Sequence, residues 1–284
     1  MPAPLTVSGL ITGFLADADG RVKPNTLATY QGLLTPFSRL HGATQAAELT
    51  AATSEAYARR PGWSLSMRHN FLGALATAFR FAVRSKLLRE NPLTGLRRPP
   101  KASRGSKAVV PPEDFARLLE AATPALRSLL KLLHETGARP SELSHLEAID
   151  IDFVNAVAVL ADHKTAHATG RPRVIILTAA AVELLREMSE RYPVGPLLRN
   201  SKGRPWTKDG IGLAVRRCRE KAGVKAIAYG LRHTFATEAL ANGVPDAHVA
   251  ELLGHAGTTM LHKHYSHLGS KARALRESLG RVRG

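Results

Sequence analysis

Apolar residues recur at helical spacing through roughly the first third of the chain. Leu5 to Ala16 reads as a short amphipathic helix. Asn25 is placed to cap a second helix, TLATYQGLLTPFSRL, whose apolar positions Leu27, Tyr30, Leu33, Leu34 and Phe37 follow the helical period. Pro36 should kink that helix or stand where its missing N–H does no harm. Thr50 to Arg60 is a third candidate, stopped by Pro61-Gly62. Ser64 opens a long fourth helix with Phe71, Leu75, Ala78, Phe79 and Ala82 on one stripe, expected to run to Asn91-Pro92.

The pattern then breaks. RRPPKASRGSKA, residues 97–108, has no apolar period and no acid. It carries Arg97, Arg98, Lys101, Arg104 and Lys107 among proline, glycine and serine. It reads as an extended basic linker, either a solvated hinge or a strap along phosphates.

From Pro111 the period is mixed. Helices are expected at 112–122 and 124–135. Alternating apolar residues on both sides of Asn155, and again around the 161–172 tip, predict three antiparallel strands. Helices return at 178–191, 207–222, 230–242, 245–253 and 258–267, and Gly137, Gly243 and Gly254 stand at C-cap positions. The reading is therefore multidomain, α and α+β: a helical domain at 1–96, a linker at 97–110, and a mainly helical domain with a small three-stranded antiparallel sheet at 111–284, ending in a tail at 269–284.

Charge narrows the class of partner. The 284 residues carry a formal net charge of +17 and a pI near 10.6, which calls for a large polyanion. Aromatic residues are only 5% of the chain, too few for a base-stacking platform, so duplex DNA held through phosphates fits better than RNA or single strands. No apolar run approaches the roughly 20 residues of a membrane span, and the N-terminus has no secretory pattern. One cysteine, Cys218, rules out an internal disulfide and a cysteine-based zinc cluster. A cytoplasmic, nucleoid-associated protein is expected, with no membrane partner and no small-molecule substrate. No phosphate-loop or dinucleotide motif is present.

The candidate chemistry lies in the second half. Arg139 follows Gly137 and precedes Pro140, so it sits at the start of a helix. Arg232 is three residues after Tyr229 and shares its helix face. Lys164 is at the tip between the second and third strands. His255 follows the glycine stop, and Tyr265 comes ten residues later. Two guanidinium groups can neutralise a phosphate, an imidazole can donate a hydrogen bond, and a phenol can attack phosphorus. Singly, each group also fits an ordinary role. Arg139 could be a surface partner of Glu142, Arg232 a surface charge beside Phe235, Lys164 a solvated tip, His255 a structural histidine, and Tyr265 a packing residue between Leu261 and Leu268. His262, His264 and His267 do not share one helical face and lack a fourth ligand, so zinc is not expected.

Taken in order, TGARPSEL, HKT, YGLRHTFAT, LLGH and HYSH resemble the tyrosine recombinases, also called phage integrases, and the resemblance covers nearly the whole chain. It implies an N-terminal helical, SAM-like core-binding domain that clamps DNA, followed by a catalytic domain. It implies a site-specific recombinase or integrase that works without a cofactor. Arg139 and Arg232 would bind the scissile phosphate, Lys164 would protonate the departing 5′ oxygen, and His255 would donate to a phosphate oxygen. Tyr265 would attack and form a 3′-phosphotyrosyl link, with Glu142 bracing the site. Four protomers would assemble on duplex DNA, and the stripe Ala272, Leu275 and Leu279 in the tail suits a neighbour's groove, though it also fits a solvated basic tail. One position departs from the family pattern: Tyr229 stands where a histidine is usual. Two alternatives share much of this pattern, a non-catalytic DNA-binding regulator and a type IB topoisomerase-like enzyme. Both catalytic arginines are expected in a solvent-open cleft.

Overall fold

The computed structural model describes residues 4–101, 108–161, 172–255 and 257–258. The chain divides into two compact units, Met1–Ser103 and Arg104–Gly284.

The first unit is helical. Helices α1 (Val7–Ala18), α2 (Pro24–His41), α3 (Ala51–Ala58) and α4 (Leu65–Arg84) enclose one core. Hydroxyl caps start three of them. Thr6 accepts from the Gly9 N–H, Thr50 from Thr53 and Ser64 from Met67, which satisfies one otherwise orphaned donor in each first turn. Asn25 does not cap α2. Pro24 occupies the first turn, where its fixed φ suits a helix and its missing N–H costs nothing, so the helix begins earlier and Lys23 is the cap. The helix continues through Pro36 to His41. Helix α4 stops at Arg84, short of Asn91-Pro92, because Lys86 adopts a left-handed φ of 58° and turns the chain. Aromatic rings fill the core: Phe37 lies 4.8 Å from Tyr57 and 5.3 Å from Phe71, and Trp63 lies 5.4 Å from Phe71.

The second unit is α+β. Helices α5 (Pro112–Ala121), α6 (Pro124–Thr136) and the short α7 (Pro140–Ser144) precede strands β1 (Ile151–Asp152), β2 (Val157–Leu160) and β3 (Arg173–Ile176). The sheet is antiparallel in the order β1-β2-β3, with Ile151 opposite Ala158 and Leu160 opposite Arg173. Helices α8 (Ala179–Arg191), α9 (Lys208–Ala222), α10 (Ala228–Ala241) and α11 (Asp246–Leu252) follow. Strand alternation puts Ala158, Leu160 and Ile175 inward. They meet a leucine-rich core drawn from α5, α6 and α8, including Leu118, Leu129, Leu133 and Leu185. Val110, on the edge of the sequence-based linker, is buried in this core, and its N–H donates to the Thr234 hydroxyl.

Lys164, Tyr265, Arg104, Lys107, the expected helix at 258–267 and the tail at 269–284 lie wholly or almost wholly outside the described residues. Among the described residues no helix is long and apolar enough to cross a membrane.

Candidate active site

Three segments far apart in sequence meet at the C-terminal end of α11. That helix ends in a Schellman motif: the Gly254 N–H donates to the Glu251 carbonyl and the His255 N–H to the Ala250 carbonyl. Gly254 holds a φ of 61°, a conformation that costs glycine little. A helix end of this kind concentrates unpaired carbonyls and partial negative charge, which favour cations. Arginines take up that role. Arg232, on α10, donates to the Leu253 carbonyl and, at 2.9 Å, to the Gly137 carbonyl. Arg139 reaches the Gly254 carbonyl at 3.4 Å. Arg173 donates to the carbonyls of Leu252 at 2.6 Å and Glu251 at 3.3 Å.

Arg232 also lies 3.0 Å from His255 Nε2. A guanidinium can only donate, so Nε2 accepts here, and the neutral ring carries its proton on Nδ1. Gly137 ends α6 with a φ of 60°. A Cβ there would fall 2.6 Å from the Phe235 ring, so glycine is needed for the backbone to present its carbonyl to Arg232.

Glu142 is the counter-ion. Its carboxylate accepts from the Arg139 backbone N–H at 2.8 Å and pairs with the Arg139 guanidinium at 2.5 Å. Arg173 Nε lies 3.6 Å away on the other side. Burial alone would raise the Glu142 pKa. The Arg139 charge, the Arg139 N–H and the Arg173 charge outweigh that, and the pKa lies below the ordinary value of 4.5. Burial, and then the neighbouring Arg139 charge, lower the pKa of Arg232 to about 10, with Tyr229 and Glu142 opposing. Arg173 is likewise lowered, first by burial. The site holds more cation than anion, a balance that favours an anionic ligand.

The sequence expectation for these arginines needs one correction. Arg232 is only 2% exposed, not in an open cleft, because its fork is folded onto backbone carbonyls. Arg139 keeps 14% side-chain exposure, and its partner is Glu142, as one reading had it, but in the interior. Tyr229 is 42% exposed and stacks edge-on to His233 with ring centroids 5.4 Å apart. Among the described residues no cluster of histidine, cysteine or carboxylate is suited to hold a metal.

Arg173 was not singled out by any motif. The signal for it was strand parity. Residues 173, 175 and 177 share one face of β3 and its extension, and a charge on a buried face requires partners.

In the first unit, Arg98 is tied down. It donates to His69 Nε2 at 2.8 Å, and His69 Nδ1 is 2.7 Å from the Pro99 carbonyl. The Arg97 N–H donates to Glu55. Arg98 and Lys101 line a groove of about 410 Å³ with Tyr30, His69, Asn70 and Thr77.

The family pattern described as "Phage integrase family" matches residues 109–271. The chain is 28% identical to the tyrosine recombinase XerC of Roseiflexus sp. (strain RS-1), over 90% of this chain and 88% of that one. Its fold is similar to that of the Tn1549 transposon integrase solved in complex with a circular intermediate DNA: TM-score 0.78, 21% identity, 97% of this chain and 99% of that one. It is also similar to the lambda integrase solved as a tetramer bound to a Holliday junction: TM-score 0.77, 18% identity, 93% of this chain and 78% of that one.

Proposed function

The chain belongs to the phage integrase family, and we propose that it is a site-specific DNA recombinase, a tyrosine-type DNA strand transferase acting on duplex DNA. The observation that carries this reading is the convergence of Arg139, Arg232 and His255 on one helix end, with a buried carboxylate behind them. That arrangement suits a phosphodiester, with guanidinium donors and an imidazole beside one another.

In the proposed reaction the Tyr265 phenol attacks phosphorus. A bond forms between its oxygen and phosphorus, and the bond to the 5′ oxygen breaks. Lys164 supplies the proton that the 5′ oxygen takes up. The energy of the broken bond is kept in the 3′-phosphotyrosyl link, so a second 5′ hydroxyl can reverse the step without a nucleotide cofactor. Arg139 and Arg232 stabilise the charge that builds on the phosphorane, and preorganised donors of this kind supply most of the rate. A phosphate oxygen would compete for the Arg232 N–H now facing His255, freeing Nε2 to accept the proton that the Tyr265 phenol loses as it attacks, after which the protonated ring donates to a phosphate oxygen. Glu142 fixes the Arg139 fork. Tyr229 offers a hydrogen bond and no useful base at neutral pH.

The basic residues Arg97, Arg98, Lys101, Arg104 and Lys107 would follow phosphates beside the first unit, which would act as the DNA clamp. Four protomers would act together on two duplexes, as the lambda integrase tetramer on a Holliday junction suggests. The expected location is the cytoplasm, at the nucleoid.

The test is a nicked duplex that traps the covalent intermediate. Wild-type protein should form a denaturation-resistant adduct. Tyr265→Phe keeps the ring and removes the attacking oxygen, so it should bind DNA and form no adduct. Undiminished adduct in that variant would overturn the assignment, and failure of the wild type to form any would favour a binding protein without catalysis.

A further inference from the structure

We propose that Arg173 is a positioning residue for strand cleavage, one that locks the His255 loop and the Glu142–Arg139 pair to the strand returning from the Lys164 segment. This rests on the recombinase reading above. Arg173 is the first residue of β3 and is 4% exposed. Its Nη1 donates to its own strand at the Val174 carbonyl, 2.6 Å away. The same fork then bridges to the Glu251 and Leu252 carbonyls at the end of α11. Its Nε faces Glu142 at 3.6 Å. One side chain therefore touches the strand, the helix end that carries His255, and the carboxylate that orients Arg139.

An independent feature points the same way. A Cβ on Gly254 would fall 2.7 Å from both Cδ and Nε of Arg173 and 2.9 Å from its Cζ. The backbone before His255 is thus packed directly against the Arg173 side chain, and glycine leaves the space the arginine fills. No shorter or singly branched cation can do the same. A lysine ammonium is a point charge that cannot span two successive carbonyls and the strand in one plane. A fully buried guanidinium is costly to keep. Its retention against a leucine-rich core is accounted for if it holds reactive groups in register, since displacing such groups by about 1 Å can cost on the order of 10²-fold in rate.

The experiment compares wild type with Arg173→Met, which keeps length and loses charge and donors, and with Arg173→Lys. Two readouts are taken on the full chain: single-turnover adduct formation on the nicked duplex, and amide hydrogen exchange at Leu253, Gly254 and His255. In Arg173→Met, cleavage should fall on the order of 10²-fold while duplex binding persists, and exchange at the three amides should accelerate. Arg173→Lys should show both defects in milder form. Combining Arg173→Met with His255→Ala should add little to the larger single loss, because the two act through one loop. Wild-type cleavage and exchange in a folded Arg173→Met overturn the proposal, and so does a fully additive double variant. If Arg173→Met fails to fold, Arg173→Lys decides, and wild-type behaviour there overturns it. If wild-type protein forms no adduct, the recombinase reading fails, and the exchange data alone decide whether Arg173 holds the loop.

Discussion

The two units are built on opposite principles. The first has an aromatic core in which, among the described residues, no charged side chain is buried. Its rings pack edge-on and tilted around Phe37, Tyr57 and Phe71. The second has an aliphatic core, yet it buries Glu142, Arg173 and Arg232 together with Thr136, Ser144 and Thr234. Apolar burial stabilises a fold with no chemical demand on it. Buried charge does not repay its desolvation well, and where it persists it is doing something else. The contrast fits the proposed division, in which the first unit holds DNA and the second reacts, and it can be broken by experiment.

The largest effect is expected at the carboxylate. Glu142 faces two guanidinium groups in the interior, so Glu142→Gln leaves cations without a counter-ion and should cost about 3–5 kcal/mol. The sign with pH follows from its lowered pKa. A carboxyl whose folded pKa lies below its unfolded value contributes stability that is fully present above about 4.5 and is lost as pH falls through the folded value. Urea unfolding of wild type should therefore weaken as pH drops below that point, and Glu142→Gln should flatten this acid limb. An unchanged limb would show that the pair contributes nothing.

Phe71→Ala probes the other side of the comparison. Removing a fully buried ring should cost about 3–5 kcal/mol, with no comparable pH dependence. Each unit has its own tryptophan, Trp63 beside Phe71 and Trp206 in the second core. Chains keeping one tryptophan at a time can report which core has weakened. A loss seen equally through Trp206 would mean that the cores are not separate.

Arg232→Met should separate stability from chemistry within the second unit. The cleavage rate should fall by on the order of 10²–10³-fold, as for loss of an oxyanion donor. Stability should change far less, because an apolar chain of similar length removes the cost of burying the charge and then the repulsion from Arg139, the two causes that lower the Arg232 pKa. A melting point that collapses along with the rate would make Arg232 a structural residue first.

Most of this was legible in the order of side chains, and the misses have local causes. Hydroxyl caps at Thr50 and Ser64 announce their helices because only a side-chain acceptor satisfies the first-turn donors. Asn25 looked equally good, but Pro24 beside it is a better first residue than Asn25 is a cap. The stop at Lys86 carries no glycine, so a left-handed turn there is invisible to composition. Arg139, Arg232 and His255 could be named from motifs, but the burial of Arg232 could not, because it depends on the backbone carbonyls of Leu253 and Gly137 being turned toward its fork. Arg173 needed strand parity and a partner list together, and a four-residue strand offers little parity to read.

The smallest effect is expected at Tyr229, where this chain departs from its family's pattern. Among the proposed active-site residues that the structure describes it is the most exposed, at 42%, and its ring packs edge-on against His233. A phenol is a poor base at pH 7, whereas an imidazole, whose free value is about 6.5, is close to ideal. Tyr229→Phe removes a hydroxyl that could hydrogen-bond to the substrate and no base, so single-turnover cleavage should drop by less than about 10-fold. Tyr229→His should match or exceed wild type near pH 7. It should also add an acid limb to the rate profile between pH 6 and 9, since a protonated imidazole next to Arg232 can neither accept a proton nor sit comfortably beside a guanidinium. The exposed position predicts that neither change alters stability much. Should Tyr229→Phe prove as inactive as Tyr265→Phe, the phenol takes part in the chemistry itself. A folded but inactive Tyr229→His would show a site rebuilt around tyrosine, with surrounding donors set for a neutral hydroxyl.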